Sequence, residues 1–471
     1  MPHAIRRPAA VAAFLLAATV AFWWRFAFPT APAPSKPLPP LTIERGDRIM
    51  VFAPHSDDEV LASGGLLSRA RRAGAVVRVV LLTNGDGFTL AAEDEFHSVR
   101  LTPEKYIQFA YLRQQETLAA LNSLGLPSSA VTFLGFPDRG TAAEWENHWR
   151  KSNPYTSRYT KLSHSPYHNS YVTGAPFSGA ALAEEIMQLI REFNPDTIIL
   201  PHPNDLHPDH WATHNFVVYS LAMLEESERG LSHLFRQKPQ LLTYLVHRGS
   251  WPTPKGYCPR LGLAPPPRLL QVGTEWRTFP LTPEEVKAKH QAILEYRSQV
   301  KVMRSHLLAF ARADELFGLL PPAPEIGPAP VAAVNDPVGD ILAGEAEGAA
   351  DLEEIALWSD RDYLYCRLTV RRPLSPFVAY CLHLHALPAL ADGTPLRSDL
   401  RLRFCEGRWA AFPGRKSAPE PDYPVTASDR AIIVRFPRLA AGPRRRFFVA
   451  AEAYLGRLVD RTAWRCVKLA E

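Results

Sequence analysis

Between residues 45 and 245, nearly continuous apolar runs alternate with segments whose apolar residues recur every third or fourth position. The runs "DRIMVFA", "VVRVVLLT", "AVTFLGF", "DTIILPH" and "LLTYLV" read as buried strands. Their β-branched, almost unbroken character is that of parallel strands covered on both faces. Between them, "EVLASGGLLSRARRAG", "PEKYIQFAYLRQQETLAALNSLG" and "GAALAEEIMQLIREFN" have helical spacing and close on Gly or Asn, which stop helices. The alternation predicts a Rossmann-like, doubly wound α/β fold with a mostly parallel sheet and right-handed crossovers. Sites in such a sheet form in the loops beyond the carboxyl ends of the strands.

Elsewhere the pattern changes. "TPEEVKAKHQAILEYRSQVKVMRSHLLAFARADELF", residues 282–317, predicts a long amphipathic helix or helix pair, with Thr282 and Glu285 spaced as a capping box. A Pro-rich break follows. Beyond 332, short alternating segments such as "IALWSD", "DYLYCRLTV", "FVAYCLHLHAL" and "AIIVRFP" predict an all-β sandwich. The polar, aromatic stretch 141–178 has no clear period, and its Trp and Tyr content points to an ordered lid or substrate wall. At the start, "MPHAIRRP" flanks the apolar run "AAVAAFLLAATVAFWW" on its basic side. That predicts an uncleaved membrane anchor, with a cleaved signal segment and secretion as the alternative. Arg6 and Arg7 would keep the N-terminus inside and the rest of the chain outside the cytoplasm. The expected division is therefore an anchor or signal over 1–28, a Pro-rich linker over 29–44, the α/β domain over 45–317, a second linker over 318–331 and the sandwich over 332–471.

Composition narrows the function. An apolar share of 46% supplies ample core, and a formal net charge of +5 over 471 residues is too small for a dedicated nucleic-acid binder. Five cysteines, four of them beyond residue 360, leave both disulfides and free thiols open, and no spacing among them resembles a zinc site. Oligomeric state is not legible.

Two polar clusters sit where the parallel strands should end. "PHSDDE" places His55, Asp57 and Asp58 after the first strand, and "PHPNDLHPDHWATHN" places His202, Asp205, His207, Asp209, His210 and His214 after a later one. Two imidazoles and a carboxylate form the ligand set of a catalytic zinc site that keeps one position open. A bound dication would also neutralise the adjacent aspartates. Glu59 reads more simply as an acidic residue favoured at a helix N-terminus.

"PHSDDE" resembles the first signature of the LmbE/PIG-L family of zinc-dependent N-acetylglucosamine-conjugate deacetylases, and "DLHPDHWATHN" resembles its second. "TNGDG", Arg113 with Glu116, "LGFPDRG", "SPYHNSYVTGAPFSG" and "AILEYRSQ" extend the likeness over roughly residues 46–317. Ser56 departs from the usual proline. The resemblance implies that His55, Asp58 and His210 bind Zn2+ and that Asp57 is the general base toward a water. It implies that His207 stabilises the oxyanion or protonates the leaving amine, with Asp209 holding the His207 ring. Arg113 and Asp138 are then candidate contacts to sugar hydroxyls. His202, Asp205 and His214 are supporting residues, and Tyr296, Ser298 and Gln299 fit helix packing as well as substrate contact. The implied substrate is an N-acetyl amino-sugar glycoconjugate, reached by a membrane-tethered enzyme facing outward. An amidase on another N-acyl or thiol conjugate, or a non-catalytic glycan-binding protein, are the alternatives.

Overall fold

The structure, a computed structural model, describes residues 37–227, 238–341, 348–387, 396–413, 423–437 and 446–470. The expected anchor over 1–28 lies outside these residues, as does the first half of the linker expected over 29–44. Among the described residues no helix is long and apolar enough to cross a membrane.

The first part runs β1 (Arg48–Ala53), α1 (Asp58–Ala73), β2 (Val76–Thr83), α2 (Thr89–Phe96), α3 (Pro103–Ser123), β3 (Val131–Phe136), α4 (Thr141–Glu146), α5 (Gly179–Phe193), β4 (Thr197–Pro201), α6 (Pro208–Ser227), β5 (Gln240–Tyr244), β6 (Glu275–Pro280), α7 (Pro283–Glu295), α8 (Arg297–Leu308) and β7 (Asp314–Leu319). Its sheet has the order β3-β2-β1-β4-β5-β7-β6. β1 to β5 are parallel, and β7 joins β5 and β6 antiparallel, so the sheet is mixed around a parallel core. Ile49, Val51 and Ala53 of β1 enter one apolar cluster with α1, α3 and α7, while Met50 and Phe52 enter another with α5 and α6. Burial on both faces is why this strand reads as an unbroken apolar run. β1 has β2 on one side and β4 on the other. The chain therefore winds away in opposite directions there, and a crevice opens beyond the carboxyl ends of β1 and β4.

The stretch 282–317 is the helix pair among the expected forms and departs from expectation only at its end. It is a helix pair broken at Tyr296, and it stops at Leu308, after which the chain turns into the strand β7. The capping box is present: Glu285 N–H donates to Thr282 Oγ1 at 3.3 Å, and Thr282 N–H to Glu285 Oε2 at 2.9 Å. β7 escaped the sequence reading because its first residues, "DELF", continue the stretch read as helical, and β6, "EWRTFP", because it is not an apolar run.

The second part runs β8 (Glu325–Ile326), β9 (Val331–Asn335), β10 (Leu352–Ser359), β11 (Tyr363–Val370), β12 (Ala379–Ala386), β13 (Leu396–Cys405), β14 (Arg408–Pro413), β15 (Val425–Ala427), β16 (Ala431–Pro437), β17 (Arg446–Leu455), β18 (Arg457–Arg461) and β19 (Arg465–Leu469). These make a five-stranded sheet, β15-β16-β11-β10-β9, and a seven-stranded one, β14-β13-β12-β17-β19-β8 with β18 on β17. Pairing is antiparallel except between β19 and β8. Ile355, Leu357 and Val434 of the first sheet share an apolar cluster with Tyr380, Leu382 and Val449 of the second. Residues 318–331, expected as a linker, carry the end of β7, all of β8 and the first residue of β9. The other face of the larger sheet also contributes to the α/β core: Phe448 and Trp464 stand 5.1 and 5.8 Å from the Trp145 ring of α4. All five cysteines are free.

α1, which carries Asp58, is broken at Ser63 (φ −140°, ψ 19°). The N–H groups of Gly65 and Leu66 donate instead to the Glu315 carboxylate of β7, at 2.7 and 2.8 Å. Lys289 of α7 pairs with the same carboxylate at 2.7 Å, and both side chains are fully buried. Burial pushes the Lys289 ammonium down and the Glu315 carboxyl up, and their pairing opposes both shifts. Removing one partner of a buried pair strands the other's charge. Lys289→Met is expected to destabilise by about 3–5 kcal/mol, and Lys289→Met with Glu315→Gln by clearly less. Urea unfolding of both variants checks this.

Candidate metal centre

β1 ends at Ala53, and Pro54 to Asp57 turn the chain into α1, whose first residue is Asp58. β4 ends at Pro201, and residues 202–207 lead into α6, whose first turn holds Asp209 and His210. The two turns face one another across the crevice. Asp58 Oδ2 lies 3.1 Å from His55 Nδ1 and 3.1 Å from His210 Nε2. Donors set tetrahedrally about 2.0–2.1 Å from a zinc ion stand roughly 3.3 Å apart, so the spacing fits one. The angles agree. Neither His210 ring nitrogen is aligned for a hydrogen bond, and the buried Asp58 Oδ1 has no hydrogen-bond partner.

Carboxylates stand behind both imidazoles. Asp205 Oδ2 is 3.3 Å from His210 Nδ1, and Asp209 Oδ2 is 3.1 Å from His55 Nε2. Such partners fix ring orientation and raise ligand basicity. Burial opposes charge on His55, yet Asp138, Asp209 and Asp58 push its pKa well above the usual value. Burial opposes charge on His210 too, and Asp205 with Asp58 carries it up to about 9. The centre is an electrostatic trap for positive charge.

Asp57 has a backbone few residues adopt, φ 116° and ψ −32°. Its N–H donates to Glu59 Oε2 at 3.1 Å, and its carbonyl accepts from Val60 and Leu61 N–H at 3.1 and 2.9 Å. Tyr296 O–H donates to the other Glu59 oxygen. Glu59 is thus a buried brace, a more specific part than a favourable charge at a helix start. The Asp57 carboxylate lies 3.6 Å from Arg113 Nη2. Burial and Asp58 push its pKa well up, and Arg113 draws it back.

Arg113 and Glu116 share the buried face of α3 but bind different partners. Arg113 donates to the carbonyls of Gly85 at 2.9 Å and Ser56 at 2.5 Å, while Glu116 accepts from Ser298 N–H and O–H at 2.7 and 2.6 Å. Asp138 Oδ1 lies 3.3 Å from His55 Nε2, and Asp138 accepts the Gly87 N–H at 2.9 Å. Asp86 behind it accepts from Tyr167 O–H at 3.2 Å, which ties the ordered stretch 141–178 to the rear of the site. A cavity of ≈ 190 Å³ opens over His55, Asp57, Arg113, Asp138, His207 and Gln299.

One expectation is corrected. The Asp209 carboxylate was assigned to the His207 ring, but it holds His55, fixed there by Arg139 N–H at 2.6 Å and Thr141 O–H at 2.7 Å. Only the Asp209 N–H meets His207, at Nδ1 and 3.2 Å. A neutral His207 ring therefore carries its proton on Nε2. His202 Nε2 pairs with Thr274 Oγ1 at 2.9 Å and His214 Nδ1 with the Pro201 carbonyl at 2.9 Å, both as supports.

Residues 50–221 match the family model described as PIG-L: GlcNAc-PI de-N-acetylase. These residues belong to the PIG-L family. A 1D-myo-inositol 2-acetamido-2-deoxy-alpha-D-glucopyranoside deacetylase from Mycobacterium sp. (strain KMS) is 27% identical over 280 residues, covering 57% of this chain and 75% of that protein. An N,N'-diacetylchitobiose deacetylase from Pyrococcus horikoshii, of known structure, is 18% identical, with a TM-score of 0.37 over 58% of this chain and 83% of that one. A deacetylase of teicoplanin biosynthesis is also 18% identical, with a TM-score of 0.38 over 57% and 96%. The family model and the mycobacterial relative are both described as deacetylases, which are hydrolases.

The PIG-L match contains His55, Asp57, Asp58, His207, Asp209 and His210 but ends before two histidines that the sequence reading missed. The His247 ring lies 4.7 Å from that of His210, and the His247 backbone N–H donates to Asp205 Oδ2 at 3.0 Å. His306 of α8 stacks 6.0 Å from His247, with Nδ1 2.7 Å from Lys255 Nζ. A signal for His247 existed: "YLVHR" ends a parallel strand in a polar residue, as "VFAPH" does.

The PIG-L domain also requires glycine at 85. Its φ is +62°, and a Cβ there would fall 1.7 Å from Arg113 Nη1. Gly85→Ala is expected to cost about 1–3 kcal/mol in backbone strain alone, with more from displacing Arg113, as a lowered urea midpoint.

Proposed function

We propose that the chain is a zinc-dependent N-deacetylase that hydrolyses the acetamide of an N-acetylglucosamine-type glycoconjugate. The observation that carries this reading is the Asp58 oxygen 3.1 Å from both His55 Nδ1 and His210 Nε2, with Asp57 beside that triad and outside it. Those three residues would hold the metal. When bound, zinc lowers the pKa of a water and polarises a carbonyl oxygen.

Asp57 takes a proton from the attacking water as general base. Its constrained backbone keeps the carboxylate at the cavity wall, and Arg113 faces it. The water oxygen adds to the acetyl carbon, the carbon–nitrogen bond breaks, and the proton held by Asp57 leaves on the amine. His207, with its proton on Nε2, donates a hydrogen bond to the carbonyl oxygen as negative charge develops there. Asp209 and Asp138 hold the His55 imidazole, and Asp205 holds that of His210. The cavity is smaller than the roughly 300–1,000 Å³ that encloses a whole drug-sized ligand. That suits capture of the acetamido end of a larger conjugate. The substrate named for the mycobacterial relative, a 2-acetamido sugar on inositol, supports the same class.

The test is a mass-spectrometric screen for acetyl loss across N-acetylglucosamine conjugates, with metal content measured in parallel. Asp57→Asn is expected to lower kcat by about 10²–10⁴-fold with zinc retained, and His210→Ala to lose the zinc. A zinc-replete protein that releases acetyl from none of the conjugates, or an Asp57→Asn variant with unchanged turnover, would overturn the proposal.

A further inference from the structure

A second set of metal-ligating side chains lies far along the chain, on the larger C-terminal sheet. Tyr380, Leu382 and Leu384 of β12 point into the apolar cluster shared by the two sheets. Strand alternation then sends Cys381, His383 and His385 to the opposite face. There β17 sets Glu452 opposite Cys381, and β13 sets Asp399 opposite His383. A cavity of ≈ 520 Å³ opens over this face.

The ligand atoms of Cys381, His383 and Glu452 all lie within 4.8 Å of one another. His383 Nδ1 is 2.8 Å from Asp399 Oδ1, which leaves Nε2 toward Glu452 Oε2 at 3.3 Å. A carboxylate behind an imidazole is the arrangement that orients a histidine ligand. Arg461 Nε donates to Glu452 Oε1 at 2.8 Å, while Oε2 accepts from Tyr454 O–H and faces the histidine. Arg461 is itself tied to Glu146 of α4 at 2.9 Å. The Trp464 ring, 5.5 Å from His383 and 4.5 Å from His385, walls one side.

We propose that Cys381, His383 and Glu452 form a second divalent-metal site, of zinc type, separate from the centre at His55, Asp58 and His210. Thiolate, imidazole and carboxylate together suit a borderline dication, and three protein ligands leave a fourth position open to the cavity. Binding expels the Cys381 proton to solvent. In the competing arrangement no metal is held: a charged His383 bridges Asp399 and Glu452, and Cys381 interacts with the same ring.

Cobalt(II) distinguishes the two sites, because the centre on α1 and α6 has no sulfur ligand. The full-length protein, purified under reducing conditions and loaded with cobalt, is expected to show a near-ultraviolet thiolate-to-cobalt charge-transfer band. The band should vanish in Cys381→Ser, with one metal equivalent lost, and survive in His210→Ala and Cys258→Ser. Circular dichroism establishes that each variant is folded. Asp399→Asn, which keeps the thiol, is expected to weaken cobalt binding at this site by about 10–100-fold. Absence of the band, its survival in Cys381→Ser, or unchanged affinity in Asp399→Asn would overturn the proposal.

Discussion

A single carboxylate oxygen, Asp58 Oδ2, is approached at equal distance by imidazoles from two turns that are 155 positions apart in their contributing residues, roughly a third of the chain.

 Much of the architecture follows from making that meeting possible and tolerable. β1 and β4 must be neighbours, which the sheet order achieves by reversing direction between them. Buried around the same point are Asp57, Asp138, Asp205 and Asp209, with Arg113 as a nearby permanent cation. Buried carboxylates without matching charge are costly. A dication would remove that cost, and the same carboxylates already push the pKa of His55 and His210 up.

The tension extends into the backbone. Asp57 holds a conformation that a residue with a side chain disfavours, and the Glu59 carboxylate beneath it takes the N–H that the turn leaves over. Glu59 is held by Tyr296, at the break between α7 and α8. Glu315 and Lys289 secure the same layer by catching the broken turn of α1. The helices that looked like plain packing in the sequence therefore keep one aspartate in an unfavourable pose.

The parallel core was legible because β1, β2 and β4 are buried on both faces and so are written as apolar runs. His55, Asp58 and His210 were legible because both clusters fall at strand ends. The partner of Asp209 was not. Proximity in sequence pairs it with His207, but side chains two positions apart at a helix start do not face each other, and this one reaches across the crevice to His55. His306 stands on a helix whose apolar spacing hides it, and only the packing of α8 brings it to His247. Among the cysteines, the search for paired spacings passed over "CLHLH". On a strand, alternate positions share a face, and that face was visible only once Glu452 and Asp399 were paired beside it.

Helix α4 is short, yet it has a foot in each region. Thr141 at its start fixes Asp209 and through it His55, and Glu146 at its end holds Arg461, which holds Glu452. Trp145 between them packs against Trp464 and Phe448 of the C-terminal sheet. Two polar centres mounted on one rigid peg share its position as a common thermodynamic variable. Any preference that occupancy at one end imposes on the peg is returned in equal measure from the other, since coupling free energies are reciprocal. The aromatic packing that joins the two halves would then set how stiffly each end senses the other.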